Sequence, residues 1–475
     1  MNNTGKKNPG MGEQLEKRLA STQKRVGNSQ RFISTICSEF EKHNRIAQIN
    51  YERYDVKRGL RNADGTGVLA GVTQIGNVQG YYLQEGERIP REGCLMYRGY
   101  DINDLVNNAR EEGRFGYEET AYLLLFGALP TPEQLADFTE ILAEWSPLPT
   151  RFTEDMILSV PSTSVMNKLA RSVLALYSYD EAPDNNELQA ELFRAIRLIA
   201  RFPTIVAHGY AAKVHYFDHQ SLYLHLPQKD LSVAENFLRL IRPDSQYTPE
   251  EARLLDLCLM VHAEHGGGNN STFVCRAVSS SGTDTYSAVA AAVGSLKGPR
   301  HGGANERVLA MMTRLEQEVE NWTDEDAIRR WLTRRLTGEA GPDNLIYGMG
   351  HAVYTLSDPR ATILKTFART LAEEKGMADE LDLFERVERI APEVIEAVKG
   401  EGAGSCANVD FYSGLVYKML GIPLSLYTPL FATARISGWC AHRIEELYNK
   451  GNKIIRPAYK CVLPPKPYVP LAERE

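Results

Sequence analysis

Helix signals recur along almost the whole chain and constrain its fold more than any other sequence feature. Two segments, residues 131–134 (TPEQ) and 248–251 (TPEE), share one helix-start pattern. The threonine caps the helix, the proline suits its first turn, and the Gln or Glu three residues on completes a capping box. Beyond the first of these starts, apolar side chains follow at helical spacing, at Leu135, Phe138, Leu142 and Trp145.

Other segments extend the helical pattern over the rest of the chain. Amphipathic periodicity is present at residues 32–40, 187–201, 306–320, 324–336, 361–374, 378–399 and 428–448. Residues 254–261 are apolar on nearly every side, which predicts a helix buried all round. Strand-like alternation is confined to about residues 66–98, where Gly, Asn and Pro interrupt short Val, Ile and Tyr pieces. The sequence predicts a mainly α fold with a minor β patch near the N-terminus.

Charge, hydropathy and cysteine usage exclude several classes of protein. The 475 residues include 54 basic and 61 acidic side chains, a net charge of −7, which argues against a nucleic-acid partner. No apolar run approaches the roughly 20 residues of a membrane-spanning helix. The seven cysteines are scattered without a C-x-x-C pair, and no apolar segment follows Lys6 and Lys7. We therefore predict a cytoplasmic protein with reduced thiols and no membrane partner.

Glycine-rich breaks suggest the domain organisation. They fall at residues 266–268, 298–303, 341–350 and 400–404, and a proline-rich tail follows residue 456. We predict an N-terminal extension with a helix over residues 1–45. A large domain would comprise residues 46–302 with 417–475 and include the β patch. Residues 303–416, flanked by glycine hinges, would form a small domain.

Three histidines stand beside glycine clusters at predicted element ends. His265 precedes the glycines at 266–268, His301 lies in residues 298–305 (GPRHGGAN), and His351 follows residues 348–350 (GMG). A lone histidine is more often structural, but glycine permits the backbone to approach a ligand closely, which favours a ligand site here. A histidine at a helix N-terminus has its imidazolium disfavoured, which favours a neutral hydrogen-bond donor.

An acid and three arginines are further candidates. Asp410 stands among apolar and aromatic neighbours, so its pKa is expected to be raised and it can act as a base; capping a helix is an equal alternative. Arg360, Arg435 and Arg456 lie near predicted element ends and can grip carboxylates with two nitrogens, although each alone is more often a surface residue. Residues 262–265 (HAEH) do not match H-E-x-x-H, so we predict no metal site.

The segments that carry these residues occur together and in one order. They are residues 97–102 (YRGYDI), 121–130, 262–265, 296–306 (LKGPRHGGANE), 350–354 (GHAVY), 358–361 (DPRA) and 408–414 (NVDFYSG). Over roughly residues 58–457 the chain resembles the citrate synthase family, which includes citrate and 2-methylcitrate synthases. The resemblance implies a nearly all-helical homodimer with a large and a small domain that close over the substrates.

The resemblance also implies a reaction of the tricarboxylic acid cycle and its residues. Acetyl-CoA would condense with oxaloacetate, and water would hydrolyse the thioester, with no cofactor because CoA arrives as part of a substrate. The implied catalytic residues are His301, His351 and Asp410. The implied oxaloacetate-binding residues are His265, Arg360, Arg435 and Arg456 of the partner subunit. Two alternatives stay open: propionyl-CoA as the donor, giving 2-methylcitrate, or an inactive CoA-binding regulatory homologue.

The CoA site implied by the resemblance departs from the usual family pattern. It comprises the loop residues Ile346, Tyr347, Gly348, Met349 and Gly350. Thr355 stands where family members often carry a basic residue, so either the affinity for CoA is lower or another base, such as Lys365, supplies that charge. Ala458 replaces a further arginine after Arg456. An insertion around residues 80–93 leaves open an extra dimer contact or a regulatory surface.

Overall fold

A computed structural model describes residues 33, 37, 40, 41, 45–62, 64–85, 87–339, 344–400, 405–449 and 453–474. Its contacts divide the chain into two compact units, Gly71–Ile455 and the combination of Met1–Ala70 with Arg456–Glu475. Most of the predicted N-terminal extension (1–45) and of the glycine-rich break at 400–404 lies outside the described residues. The division into a large domain and a small domain of residues 303–416 stays a prediction.

Helices make up most of the described structure. Helix α1 (Gln48–Arg53) lies in the unit that includes the termini. The unit Gly71–Ile455 contains α2 (Ile102–Glu111), α3 (Tyr117–Phe126), α4 (Pro132–Trp145), α5 (Val165–Leu176), α6 (Leu188–Phe217), α7 (Val233–Ile241), α8 (Pro249–His262), α9 (Asn270–Ser279), α10 (Thr285–Leu296), α11 (Ala304–Glu318), α12 (Glu325–Leu336), α13 (Pro359–Glu374), α14 (Ala378–Lys399), α15 (Val409–Met419) and α16 (Tyr427–Tyr448). A π-helix occupies Thr153–Leu158. The predicted mainly α fold is confirmed.

Both predicted helix-start boxes are formed. The Thr131 hydroxyl accepts a hydrogen bond from the Gln134 amide, and the Gln134 side chain accepts one from the Thr131 amide. Thr248 and Glu251 make the same pair of bonds at the start of α8. Helix α8 is buried on nearly all sides, as its apolar sequence predicts. These local signals therefore fix the start of the helix that ends at the candidate site.

Helix α6 is longer than the sequence pattern indicates. The predicted segment stops at residue 201, whereas the helix continues through Pro203 to Phe217. A proline inside a helix removes one backbone hydrogen bond and crowds the preceding turn. Phe202, Pro203 and Ile205 are all buried in the core. Because tertiary packing supplies most of the stability of a protein helix, it overrides the local break here.

The predicted β patch is a small antiparallel sheet of three strands. Its strands are β1 (Gly76–Gln84), β2 (Glu87–Tyr97) and β3 (Tyr100–Asp101), in that order. The first two form a hairpin that contains the insertion at residues 80–93, with a register shift between Gln79 and Tyr81. A Cβ on Gly80 or Gly93 would collide with the backbone of residues 353–357. The hairpin therefore packs directly on the segment that follows His351.

The core surrounds α16, which is buried along nearly its whole length. This helix packs against α3, α6, α8, α9 and α10. Helix α13 packs on α14, α15 and α8, and the rings of Phe384 in α14 and Phe411 in α15 lie 5.2 Å apart. None of the helices in the described ranges has the length and apolar composition to span a membrane.

Candidate active site

Most of the candidate residues lie at or near the ends of different helices. His265 lies three residues beyond the end of α8, and His301 lies in the turn before α11. Arg360 and Asp410 lie in the first turns of α13 and α15, respectively. Arg435 projects from the middle of α16. Helix ends suit a ligand site because their unpaired backbone groups and adjoining turns leave polar groups accessible to a ligand.

One carboxylate joins the starts of α13 and α15. Asp358 accepts a hydrogen bond from the Arg360 amide, and its two oxygens bind Arg360 Nε and Nη2 at 2.9 and 2.6 Å. Asp358 Oδ2 also accepts a bond from the Val409 amide at 3.1 Å. The same side chain therefore caps one helix, fixes Arg360 and holds this arginine beside the Asp410 turn. Sequence analysis missed this role, although Asp-Pro at a helix start is its signal.

Arg435 is a buried cation that is only partly bonded. Its Nε donates to the carbonyl oxygen of His262 at 2.6 Å. Among the described residues, neither Nη1 nor Nη2 has a hydrogen-bond partner. Burial lowers the pKa of Arg435 to about 10, so the side chain is charged at neutral pH. Leaving buried donors unpaired is unfavourable, and two parallel guanidinium nitrogens match a carboxylate.

His265, His351 and Tyr354 form a compact ring cluster. The two imidazoles meet nearly perpendicularly with centroids 5.0 Å apart, and Tyr354 stacks on His351 at 4.6 Å. The Tyr354 hydroxyl lies 3.3 Å from His265 Nε2. Burial, followed by the charge of Arg360, holds the pKa of His265 well below its usual value. His265 is therefore a neutral side chain.

Backbone amides select the tautomer of His351. The amides of Val353 and Tyr354 donate to His351 Nδ1 at 3.1 and 3.2 Å. A nitrogen that accepts hydrogen bonds carries no proton, so the neutral ring carries its proton on Nε2. The tight turn after His351 thus makes Nε2 a hydrogen-bond donor.

The opposite tautomer is selected at His301. The Ser271 amide donates to His301 Nε2 at 3.3 Å, which leaves the ring proton on Nδ1. The Ser271 hydroxyl lies 3.1 Å from the same nitrogen and accepts a bond from Trp439 Nε1. Burial, followed by Arg435, lowers the pKa of His301 to about 4. His301 is therefore neutral at neutral pH, with burial as the main cause, and its role as a donor stays a prediction. No sequence signal pointed to Ser271.

Asp410 is a half-buried carboxylate whose oxygens receive no hydrogen bond from any described residue. Asn408, and not Asp410, caps α15, because its side chain accepts a bond from the Asp410 amide at 3.0 Å. The capping alternative for Asp410 is therefore wrong. Burial raises the pKa of Asp410 to about 6 against the opposing charge of Arg360. A carboxylate in this state is a stronger base than an exposed one.

The comparisons with known proteins bear on this arrangement. The family profile described as "Citrate synthase, C-terminal domain" matches residues 63–458. The chain belongs to the citrate synthase family. A citrate synthase from Deinococcus radiodurans is 36% identical over 369 residues, covering 77% of this chain and 89% of its own. A 2-methylcitrate synthase from Shewanella oneidensis is 33% identical over 384 residues, covering 80% and 92%.

Solved citrate synthase structures share the fold. That of Pyrobaculum aerophilum has a TM-score of 0.69 and 32% identity, covering 86% of this chain and 94% of that chain. Another is a ternary complex of carboxymethyl coenzyme A and oxaloacetate with citrate synthase from Thermoplasma acidophilum. It has a TM-score of 0.72 and 27% identity, covering 88% and 99%. The predicted family and its fold are confirmed.

The CoA loop predicted from the citrate synthase family runs beside the Asp410 segment. Gly348 and Gly350 have φ angles of +78° and +91°, which suit glycine. The Gly350 amide donates to the Cys406 carbonyl at 2.8 Å, and the Gly348 carbonyl accepts from the Asn408 amide. Ile346 is buried, whereas Tyr347 and Met349 are half-buried. The loop is thus anchored between His351 and Asp410, and its CoA contacts stay a prediction.

Lys365 and Arg456 are two further residues to which the family resemblance gives a role. The Lys365 ammonium is paired with Glu388 at 2.7 Å, so its charge already has an acidic partner. Arg456 is exposed and belongs to the unit that includes the termini. The CoA role of Lys365 and the oxaloacetate role of Arg456 stay predictions.

Proposed function

We propose that this member of the citrate synthase family condenses acetyl-CoA with oxaloacetate and hydrolyses the thioester to release citrate and CoA. The observation that carries the proposal is the buried Arg435 guanidinium, two of whose nitrogens have no hydrogen-bond partner in the part of the chain that the structure describes. Beside it lie the second buried cation, Arg360, and His265, whose imidazole is neutral. Such a cluster suits oxaloacetate, which carries two carboxylates.

Asp410 and His301 are proposed to generate the carbon nucleophile together. Asp410 takes a proton from the acyl carbon next to the thioester carbonyl. That proton is very weakly acidic, and each unit of pKa mismatch costs about 1.4 kcal/mol. The proton on His301 Nδ1 is donated to the thioester oxygen as the enol forms. A preorganised donor of this kind contributes roughly 3–4 kcal/mol to transition-state stabilisation.

His351 is proposed to act on the second substrate. Its Nε2 proton lies on the side of the ring opposite the amides of Val353 and Tyr354 and would be donated to the oxaloacetate ketone. As the enol carbon attacks, the ketone oxygen gains this proton and becomes the hydroxyl of the product. The enol proton returns to His301, and the proton held by Asp410 replaces the one that His351 gave. Water then attacks the thioester carbonyl; its hydroxyl completes the new carboxyl group and its proton leaves with CoA as the thiol.

We further propose a homodimer whose subunits share each site. Closure of a small domain of residues 303–416 over the remainder would exclude water until the carbon–carbon bond forms. This domain would carry His351, Arg360 and Asp410, and the large domain would carry His265 and Arg435. Arg456 of the partner subunit would complete the oxaloacetate site, as the family resemblance implies.

Release of free CoA thiol tests the function. The purified chain is given a fixed concentration of oxaloacetate with acetyl-CoA or propionyl-CoA in parallel, and oxaloacetate is omitted as the control. We expect oxaloacetate-dependent release with a higher kcat/KM for acetyl-CoA. A higher kcat/KM for propionyl-CoA would indicate a 2-methylcitrate synthase with the same site. No release with either donor would contradict the proposal and favour a binding-only homologue.

Activity should fall below about pH 6. The pKa of Asp410 is raised to about 6, and only the ionised carboxylate can accept a proton. His301 stays neutral over this range because its pKa is about 4. We expect kcat/KM for acetyl-CoA at saturating oxaloacetate to decline tenfold per pH unit below that point. A decline that begins only below about pH 5 would show that Asp410 titrates as an ordinary carboxylate.

Arg456→Ala tests the shared site. The variant should have a strongly raised KM for oxaloacetate, although Arg456 lies in the tail. Mixed with Asp410→Asn subunits and allowed to exchange, it should regain about one quarter of wild-type activity, because each hybrid dimer contains one intact site. Restored activity requires that Asp410 and Arg456 of one site come from different subunits. Unchanged oxaloacetate kinetics in the single variant would remove Arg456 from the site.

A further inference from the structure

Glu264 is a fully buried carboxylate that the proposed reaction does not use. Its Oε1 accepts hydrogen bonds from His442 Nε2, at 2.9 Å, and from the Gly266 amide. Its Oε2 has no hydrogen-bond partner in the described part of the chain. Burial acts to raise the pKa of Glu264, but His442 and then Arg435 outweigh it, and the pKa lies below its usual value. Glu264 therefore holds a negative charge next to His265.

Two glycines from separate elements make room for this carboxylate. A Cβ on Gly76 of β1 would lie 2.8 Å from Glu264 Oε1. A Cβ on Gly438 of α16 would lie 2.6 Å from Glu264 Oε2 and 3.4 Å from Arg435 Cδ. Any larger residue at either position would displace the carboxylate. The missing side chain of Gly438 thus lets Glu264 approach the stem of Arg435.

A chain of hydrogen bonds fixes Glu264 from its other side. Arg276 Nη1 donates to His442 Nδ1 at 2.9 Å, so the His442 proton is on Nε2 and points at Glu264. Arg276 is itself held by Glu445 at 2.7 Å and Glu446 at 2.8 Å. Neither rotation of His442 nor withdrawal of Glu264 is possible without breaking this network. The negative charge is therefore fixed in position.

Arg435 requires a counter-charge that leaves its donors unoccupied. Burial lowers its pKa, and Glu264 is the first of the groups that act against this fall. Glu264 does so without a hydrogen bond to the guanidinium, whose Nη1 and Nη2 keep no partner among the described residues. Asp358, in contrast, occupies Nε and Nη2 of Arg360. The two arginines thus differ in how many donors remain for a substrate.

We propose that Glu264 is a positioning residue for oxaloacetate. It is a fixed counter-charge that holds the Arg435 guanidinium in place and leaves both terminal nitrogens for a substrate carboxylate. This role rests on the proposed function, because it assumes that Arg435 binds oxaloacetate.

Calorimetric titration with oxaloacetate tests the role in wild type and Glu264→Gln. The amide keeps the size and the Oε1 acceptor but places an N–H₂ against the arginine. We expect a Kd for oxaloacetate at least ~10-fold higher, with a matching rise in its KM. The KM for acetyl-CoA at saturating oxaloacetate should stay within about twofold. If Glu264→Gln binds oxaloacetate as tightly as wild type, or more tightly, the proposal is overturned. A carboxylate without a positioning role would only repel the substrate dianion, so its removal would not weaken binding.

Two further variants complete the test. Asp256→Asn alters a buried carboxylate outside this network, which accepts bonds from the Gly116 and Tyr117 amides, and its oxaloacetate Kd should stay within about twofold of wild type. His442→Asn keeps the Glu264 carboxylate but removes the imidazole that donates to it, and it should weaken oxaloacetate binding. An unchanged Kd in this variant would refute the role of Glu264, even if Glu264→Gln does not fold. A wild-type protein that binds oxaloacetate without releasing CoA would refute the proposed function alone. A wild-type protein that binds none would refute both.

Discussion

Replacing Asp410 with asparagine is expected to lower kcat about 1,000-fold while oxaloacetate binding survives. Asparagine has nearly the same size, and the cap of α15 is made by Asn408, so the fold should be unaffected. What is lost is the carboxylate proposed to accept the proton of the acyl carbon. The measurement is steady-state CoA release together with calorimetric binding of oxaloacetate.

A matched control is available in Asp256, a buried acid outside the site. It accepts bonds from the Gly116 and Tyr117 amides, and burial raises its pKa to about 8. Asp256→Asn should leave kcat within about twofold of wild type. Near-normal turnover of Asp410→Asn, or an equal loss in Asp256→Asn, would remove Asp410 from the role of base.

Replacing Arg435 with methionine should lower kcat/KM for oxaloacetate by about 100- to 1,000-fold. Methionine fills much of the same buried volume but offers no charge and no donor to a carboxylate. The expected loss is in oxaloacetate binding, measured by calorimetry and by KM. Because Nη1 and Nη2 of Arg435 have no partner among the described residues, their removal deprives no group of a bond, whereas the His262 carbonyl loses its Nε donor and Glu264 loses a nearby cation.

Arg443, two turns further along α16, is the corresponding control. It is equally buried, but Glu191 binds its Nε and Nη2 at 2.9 and 3.0 Å. Arg443→Met breaks this buried pair and should lower the free energy of unfolding by about 3–5 kcal/mol. Its folded fraction should still bind oxaloacetate. Unchanged oxaloacetate affinity in Arg435→Met would show that the substrate binds elsewhere.

The features that could be predicted from the sequence are the local ones. The helix starts at Thr131 and Thr248 depend on residues three apart, and the structure contains both capping boxes. The buried α8 follows from an uninterrupted apolar segment. Where tertiary packing opposes a local signal, prediction failed, as it did at Pro203 inside α6.

The supporting contacts of the site could not be predicted because they join distant parts of the chain. Ser271 and His301 are 30 residues apart, Asp358 and Val409 are 51 apart, and Glu264 and His442 are 178 apart. Each of these bonds depends on how helices meet in space, which no local pattern encodes. The ordered motifs predicted the reacting groups, and the folded structure was needed to find what orients these side chains.

A crystal structure of the oxaloacetate complex tests the account most directly. We expect one substrate carboxylate to bridge Nη1 and Nη2 of Arg435 and the ketone oxygen to accept from His351 Nε2, each within about 3.2 Å. Oxaloacetate should make no contact with Asp410. The Asp410 carboxylate should face the ketone carbon from the side on which the acyl group enters. Oxaloacetate bound away from Arg435, or with its ketone oxygen directed away from His351, would contradict the proposed site.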